Sequence, residues 1–183
     1  ENGKTPILDC VTEAERRLLE HSSTKSYLGI DGMPEFCHLT RDLLLGSDHQ
    51  CVTSQRALTV QTPGGTGALR VAADFIRSVS PDARVWCSNP TWANHPKVFS
   101  AAGLRTESYP YFDSATNGFA FDQMIDSLQE IPAGDVICLH ACCHNPTGVD
   151  PTPQQWKTIG DVVYERELLP LLDFAYQGFA VGL

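Results

Sequence analysis

DVICLHACCHNPTGVDPTPQQWKTIGDVVYERELLPLLDF, residues 135–174, decides how this chain folds. DVICLHACC opens on an apolar run of the length and composition of a buried strand, and a polar cluster follows it. TPQQWKTIGDVVYE then carries apolar residues at helical spacing, and LLPLLDF returns to a continuous apolar run. Strand, helix, strand within forty residues is a βαβ unit, whose two strands lie parallel in one sheet. The same alternation extends towards the N-terminus. RVWCS from Arg84 reads as a strand, HPKVFSAAG as a helix, LRTESY as a strand and FDQMIDSLQEI as a helix. TPGGTGALRVAADFIRSV turns through glycines into a helix whose Leu69, Ala72, Ala73 and Ile76 recur on one face. The expected fold is α/β, a three-layer αβα arrangement around a mostly parallel sheet.

Upstream the pattern changes. VTEAERRLLEH predicts a first helix, with a capping box from Thr12 to Glu15 and an apolar face of Val11, Leu18 and Leu19. SYLGIDGMPEF breaks at two glycines, and Pro34 suits the first turn of a second helix reaching Leu45. ALTVQ, residues 57–61, reads as a short strand. The division expected from this is an N-terminal helical segment over residues 1–45 and an α/β domain over residues 46–183.

Composition excludes several functions. The net charge of −9 argues against a nucleic-acid partner, which a basic face would attract. No apolar run is long enough for a membrane helix, and no signal peptide is legible. Seven cysteines without CxxC pairs read as reduced, scattered thiols of a cytoplasmic protein, not as a disulfide framework.

The polar clusters fall where the strands end, the place where open parallel sheets bind ligands. PGGTG, Pro63–Gly67, opens a helix, so several unpaired amides face one way beside the positive end of the dipole. Gly65 and Thr66 are therefore candidate anion binders, although a plain turn and cap would look the same. SNPTWANH places Trp92 past a strand exit, where an indole can lie on a flat ligand or simply pack; His95 follows three residues later. HACCHNPTG gathers His140, Cys142, Cys143 and His144, but neighbouring cysteines on a strand point to opposite faces and the spacing is not that of a zinc site. No metal is expected. Asn145, stiffened by Pro146, can offer its amide to a ligand oxygen. DFAYQGF sets Asp173 at the end of a buried strand, with Tyr176 three residues on. A carboxylate there caps the next helix or meets a cation, because burying it alone is costly. An anion cradle, an aromatic plate, an amide with a phenol, and a carboxylate needing a cation are together the complements of pyridoxal phosphate. The cation is then the protonated pyridine nitrogen.

TPGGTGALR, SNPTWANH, CCHNPTG and DFAYQGF, in this order, resemble the aspartate and aromatic aminotransferases, a fold-type I family that uses pyridoxal phosphate. SYLGIDGMPEF and ENGKTPIL resemble that family too, so the likeness covers essentially the whole chain. It implies that residues 46–183 are part of the large cofactor-binding domain, and that residues 1–45 border the small domain and the dimer interface. By the resemblance, Gly65 and Thr66 bind the cofactor phosphate, while Trp92 stacks on the ring and helps hold the substrate carboxylate. Asn145 and Tyr176 hydrogen-bond the phenolic oxygen, and Asn145 also lies at the substrate. Asp173 partners the ring nitrogen, His95 stands behind it, and His140 lies near it. Tyr27 crosses to the neighbouring subunit's cofactor in a homodimer. Asn89-Pro90 and Asn145-Pro146 resemble positions that are cis in the family.

The activity implied is transfer of an amino group between an aspartate-like, glutamate-like or aromatic amino acid and a 2-oxo acid. The family's Schiff-base lysine belongs to a segment resembling SxSKN, expected beyond residue 183. None of Lys4, Lys25, Lys97 and Lys157 matches it, so the chain alone is expected to be inactive. The alternative is a non-catalytic module that binds a phosphate ligand or another protein.

Overall fold

In the computed structural model, residue 3, residues 5–180 and residue 182 are described, so Glu1, Asn2 and Lys4 of the N-terminal motif lie outside the described residues. The chain divides into two units, Glu1–Gln61 and Thr62–Leu183.

The first unit is helical: α1 (Asp9–His21), α2 (Pro34–Leu45) and the single turn α3 (Gln50–Thr53). Pro34 occupies the first turn of α2, where its missing amide hydrogen costs nothing. Two expectations fail here. Helix α1 begins three residues before Thr12, from an uncapped Leu8. Asp9 suits the positive first turn, which leaves Thr12 inside the helix with no capping task. Nor do residues 57–61 form a strand. Instead the backbone amide of Gln61 donates to Asp31 O at 2.9 Å, and its side-chain Oε1 accepts from the Met33 amide at 2.9 Å. The apolar face expected on α1 is present but exposed, with Leu19 85% accessible.

The second unit carries α4 (Gly64–Val79), β1 (Arg84–Asn89), α5 (Asn94–Ala101), β2 (Arg105–Pro110), the two-residue strands β3 (Phe112–Asp113) and β4 (Gly118–Phe119), α6 (Phe121–Glu130), β5 (Val136–His140), α7 (Pro153–Glu165) and β6 (Leu169–Asp173). Strands β2-β1-β5-β6 form a sheet in that order, with every neighbouring pair parallel. β3 and β4 pair as a small antiparallel hairpin.

All five residues of β5 are buried, as a strand covered on both faces must be. Its side chains alternate between two cores. Val136 and Cys138 join Leu69, Ala73, Ile76 and Phe99 from α4 and α5. Ile137 and Leu139 join Met124, Leu128, Ile159 and Val162 from α6 and α7. The sheet therefore lies between two helical layers, as the alternation implied.

This topology has a functional consequence. The chain runs from β1 outward to β2, then returns across β1 to place β5 on its other side. Crossovers have a fixed hand, so reversing direction moves the helices to the opposite face. That is why α5 joins one core and α6 and α7 the other. A crevice opens beyond the carboxyl ends of the strands at such a reversal. Register then aligns the chemistry, because His140 pairs directly with Asp173 across β5 and β6.

Candidate functional site

Beyond those strand ends lies a cleft of about 170 Å³. Gly65 and Leu69 come from α4, Trp92 from the exit of β1, and His140 and Asn145 from β5 and its loop. Asp173 and Tyr176 come from the exit of β6. Four patches separated by as many as 111 residues along the chain thus share one wall, from Gly65 to Tyr176.

Asp173 anchors the arrangement. Its Oδ2 accepts from His95 Nε2 at 2.9 Å, and its Oδ1 accepts from the Ala175 amide at 2.9 Å. A carboxylate only accepts, so Nε2 of His95 donates to it, and Nδ1 lies 2.9 Å from the Thr91 hydroxyl oxygen. His95 is wholly buried. Trp92 stands edge-on to it at 5.4 Å, Phe99 packs on it at 6.0 Å and His140 at 4.9 Å. Held this way, His95 keeps the Asp173 carboxyl below the usual carboxylate range, against the upward push of partial burial. The acid side chain remains 16% accessible, on the cleft side.

His140 is buried too, and both of its ring nitrogens lack a hydrogen-bond partner among the described residues. Burial, then the neighbouring His95, pushes its pKa down to about 4. It therefore enters the site as a neutral ring. A sign follows for stability. The unfolded chain takes up a proton on this histidine as pH falls below about 6.5, while the folded chain resists until about pH 4. More protons bound in the unfolded state means stability that declines with falling pH across this window. Urea midpoints measured through it are expected to fall, and His140→Phe is expected to flatten the slope. A parent curve level in pH over that range would contradict the burial argument.

At the other wall, α4 begins with Gly64 in the left-handed region, φ +74, a conformation that favours glycine. The amides of Gly65 and Thr66 have no backbone partner among the described residues, as expected of a helix's first turn. A Cβ placed on Gly65 would meet nothing within 4 Å, so open space lies before them. Thr66 is exposed beside Gly65 and does not itself line the cleft. Tyr176, 43% accessible, is tied to the β5 loop through its carbonyl, which accepts from Cys142 Sγ at 3.2 Å. Asn145 precedes a cis proline, as does Asn89.

Of the residues singled out in the sequence, the structure brings Gly65, Trp92, His140, Asn145, Asp173 and Tyr176 to one cleft, with His95 bound to Asp173. Tyr27 belongs to the other unit and is fully exposed. Of the HACCH run, only His140 stands in a group with cation-ligand spacing among the described residues. The one group among the described residues with cation-ligand spacing is His95, His140 and Asp173, their atoms within 4.8 Å. There the His95 nitrogen and the Asp173 oxygen already bind each other. Two contributors were missed. Thr91 lies four residues before His95, on the same side of the turn that opens α5, and that spacing was its only signal. Phe99 lies in the HPKVFSAAG segment read as a helix, but nothing in the sequence marked it as the support of His95.

The donor set fits pyridoxal phosphate on structural grounds. The carboxylate is backed by a buried imidazole, faces an indole and a phenol, and lies in the same cleft as the first amides of a glycine-opened helix.

Comparison with known proteins is consistent with this picture. Residues 1–183 match the family described as aminotransferase class I and II. The aspartate aminotransferase of Escherichia coli (strain K12) is 55% identical over 183 residues, covering 100% of this chain and 46% of that protein. The aromatic-amino-acid aminotransferase of Pseudomonas aeruginosa is 51% identical over 181 residues, covering 99% of this chain and 45% of that protein. Among solved structures, the aromatic-amino-acid aminotransferase of Burkholderia pseudomallei, covalently bound to pyridoxal phosphate, superposes with a TM-score of 0.95 at 44% identity. That likeness covers 100% of this chain and 46% of the other. The chain spans about half the length of the curated relatives it matches.

Proposed function

The chain belongs to the class I and II aminotransferase family, and from that premise we propose that its protein transfers an amino group between an amino acid and a 2-oxo acid using pyridoxal phosphate. The amino acid is aspartate or glutamate, or an aromatic one. The observation that carries this reading is Asp173, a carboxylate held ionised by buried His95 and turned to a cleft.

Each wall residue has a task. The amides of Gly65 and Thr66, with the Thr66 hydroxyl, hold the phosphate at the positive end of α4. Trp92 covers the flat ring and helps receive the substrate carboxylate. Asn145 and Tyr176 donate to the phenolic oxygen and hold its negative charge, and Asn145 also borders the substrate. Asp173 keeps a proton on the ring nitrogen, and His95 holds Asp173 in place. When bound, the cofactor supplies the electron sink for the pair released as the substrate Cα–H bond breaks. The protein's share is placement and charge.

We read residues 46–183 as part of the large domain and residues 1–45 as the segment next to the small domain and the dimer interface. The protein is read as a cytoplasmic homodimer, with Tyr27 reaching the neighbouring subunit's cofactor phosphate. Full exposure of Tyr27 favours that reading. Among the described residues no helix is long and apolar enough to cross a membrane.

The direct test is an assay of the purified complete polypeptide with pyridoxal phosphate, 2-oxoglutarate and either aspartate or phenylalanine. Amino transfer from one of them is expected; absence of transfer from both would overturn the reading. For the 183-residue chain alone, no turnover is expected. Lys97 and Lys157, the lysines of the second unit, are exposed on α5 and α7, and neither lines the cleft. Without a lysine to exchange protons at the reacting carbon, the step lacks its acid and base. Turnover by that chain alone would contradict this.

A further inference from the structure

His144 takes no part in the cleft wall, yet few side chains in the second unit are so thoroughly fixed. It is 1% accessible. Its Nε2 lies 2.9 Å from Ser88 Oγ, and its Nδ1 lies 2.8 Å from Thr147 Oγ1. The ring stacks on Tyr111 at 3.7 Å with 13° between the planes, and His140 meets its edge at 4.4 Å. Its backbone amide donates to Asp150 Oδ1 at 2.8 Å, and the Cys143 amide donates to Asp150 Oδ2 at 2.6 Å.

The partners explain what this accomplishes. Ser88 lies near the end of β1, Tyr111 follows β2, and Thr147 and Asp150 belong to the loop leaving β5. One ring thus pins that loop to the strands beside it. Asn145 comes next in the chain and lines the cleft. A loop with several exposed or half-exposed residues would otherwise leave an amide free to swing.

We propose that His144 is a positioning residue that fixes the Asn145 amide towards the cofactor, through the Ser88 and Thr147 hydrogen bonds and the Tyr111 stack. The inference rests on the aminotransferase reading of the cleft. A neutral imidazole suits the task, since it donates from one nitrogen and accepts at the other, and each hydroxyl can serve either role. Burial, then the nearby His140, holds the His144 pKa down at about 3, so the ring stays neutral near neutral pH.

The experiment compares the complete polypeptide with its His144→Phe, Asn145→Ala and combined variants. His144→Phe keeps an aromatic ring against Tyr111 and removes both hydrogen bonds. Two quantities are read, the Kd for pyridoxal phosphate and the midpoint of the pH titration of the bound cofactor's absorbance. Loss of one well-placed hydrogen bond raises Kd about tenfold, and both single variants are expected to show that loss. They are also expected to move the absorbance midpoint in the same direction. The combined variant is expected to add little, because both changes remove one interaction. Retained near-parental urea stability separates this from general unfolding. If His144→Phe does not fold, His144→Gln, which keeps one amide hydrogen bond, serves in its place, with a smaller shift of the same sign expected. An unmoved midpoint, or effects that add fully in the combined variant, would overturn the proposal while leaving the aminotransferase reading intact. A parent protein that does not bind pyridoxal phosphate at all would overturn both.

Discussion

Replacing Asp173 by Ala in the complete polypeptide lowers turnover by orders of magnitude while leaving the fold in place. Removing one preorganised group aimed at charge that develops in the reaction typically costs about 10²–10³-fold in turnover, and that is the loss expected. Asp173 holds two contacts through its carboxylate, to His95 and to the Ala175 amide, and neither belongs to the hydrophobic core. What it offers the cleft is charge. Asp173→Asn preserves shape and removes that charge, so it is expected to lose nearly as much as the alanine variant. Steady-state rates with saturating cofactor decide the matter. Turnover within a few-fold of the parent in either variant would remove Asp173 from the role assigned to it.

Phe99→Ala is the largest stability change expected. Phe99 is fully buried in the core shared by α4, α5 and the sheet, and truncating such a ring typically costs about 3–5 kcal/mol. That is a large part of the stability of an ordinary domain. The change reaches the site as well, because the Phe99 ring packs on His95 at 6.0 Å, nearly parallel to it. A cavity there frees the imidazole that holds Asp173. The variant is expected to lower the urea midpoint strongly, with an unchanged slope, and to weaken cofactor binding too. Phe99→Leu keeps more of the volume and is expected to lose clearly less. Wild-type stability in Phe99→Ala would mean that the core between α5 and the sheet is packed differently.

These two residues illustrate what could be read from the sequence and what could not. The βαβ units were legible because burial on both faces writes itself into the chain as apolar runs, and helices as a period near 3.6. Asp173 was legible because a carboxylate ending an apolar run demands an explanation. The failures have one physical source. Thr12 and Gln61 were read from local pattern, but helix α1 simply began earlier, and residues 57–61 found no strand to pair with. The β3–β4 hairpin pairs only Phe112 with Phe119 and Asp113 with Gly118, too short a stretch for any period to show. The fixing of His144 was invisible for a related reason. Ser88 and Tyr111 lie 56 and 33 residues before it, and only the folded sheet brings them to its ring. Local chemistry announced that a site existed at the strand ends. The links that hold it rigid are long-range, and no window along the chain contains them.

The central claim is that Asp173, held by His95, keeps a proton on the nitrogen of a pyridoxal ring seated in this cleft. Nitrogen-15 NMR of the complete polypeptide loaded with ring-labelled cofactor measures that proton directly. A shift characteristic of the protonated pyridine throughout the neutral pH range, lost in Asp173→Ala, is the predicted result. A ring nitrogen that titrates as it does in free solution, or that is indifferent to Asp173, would contradict the account.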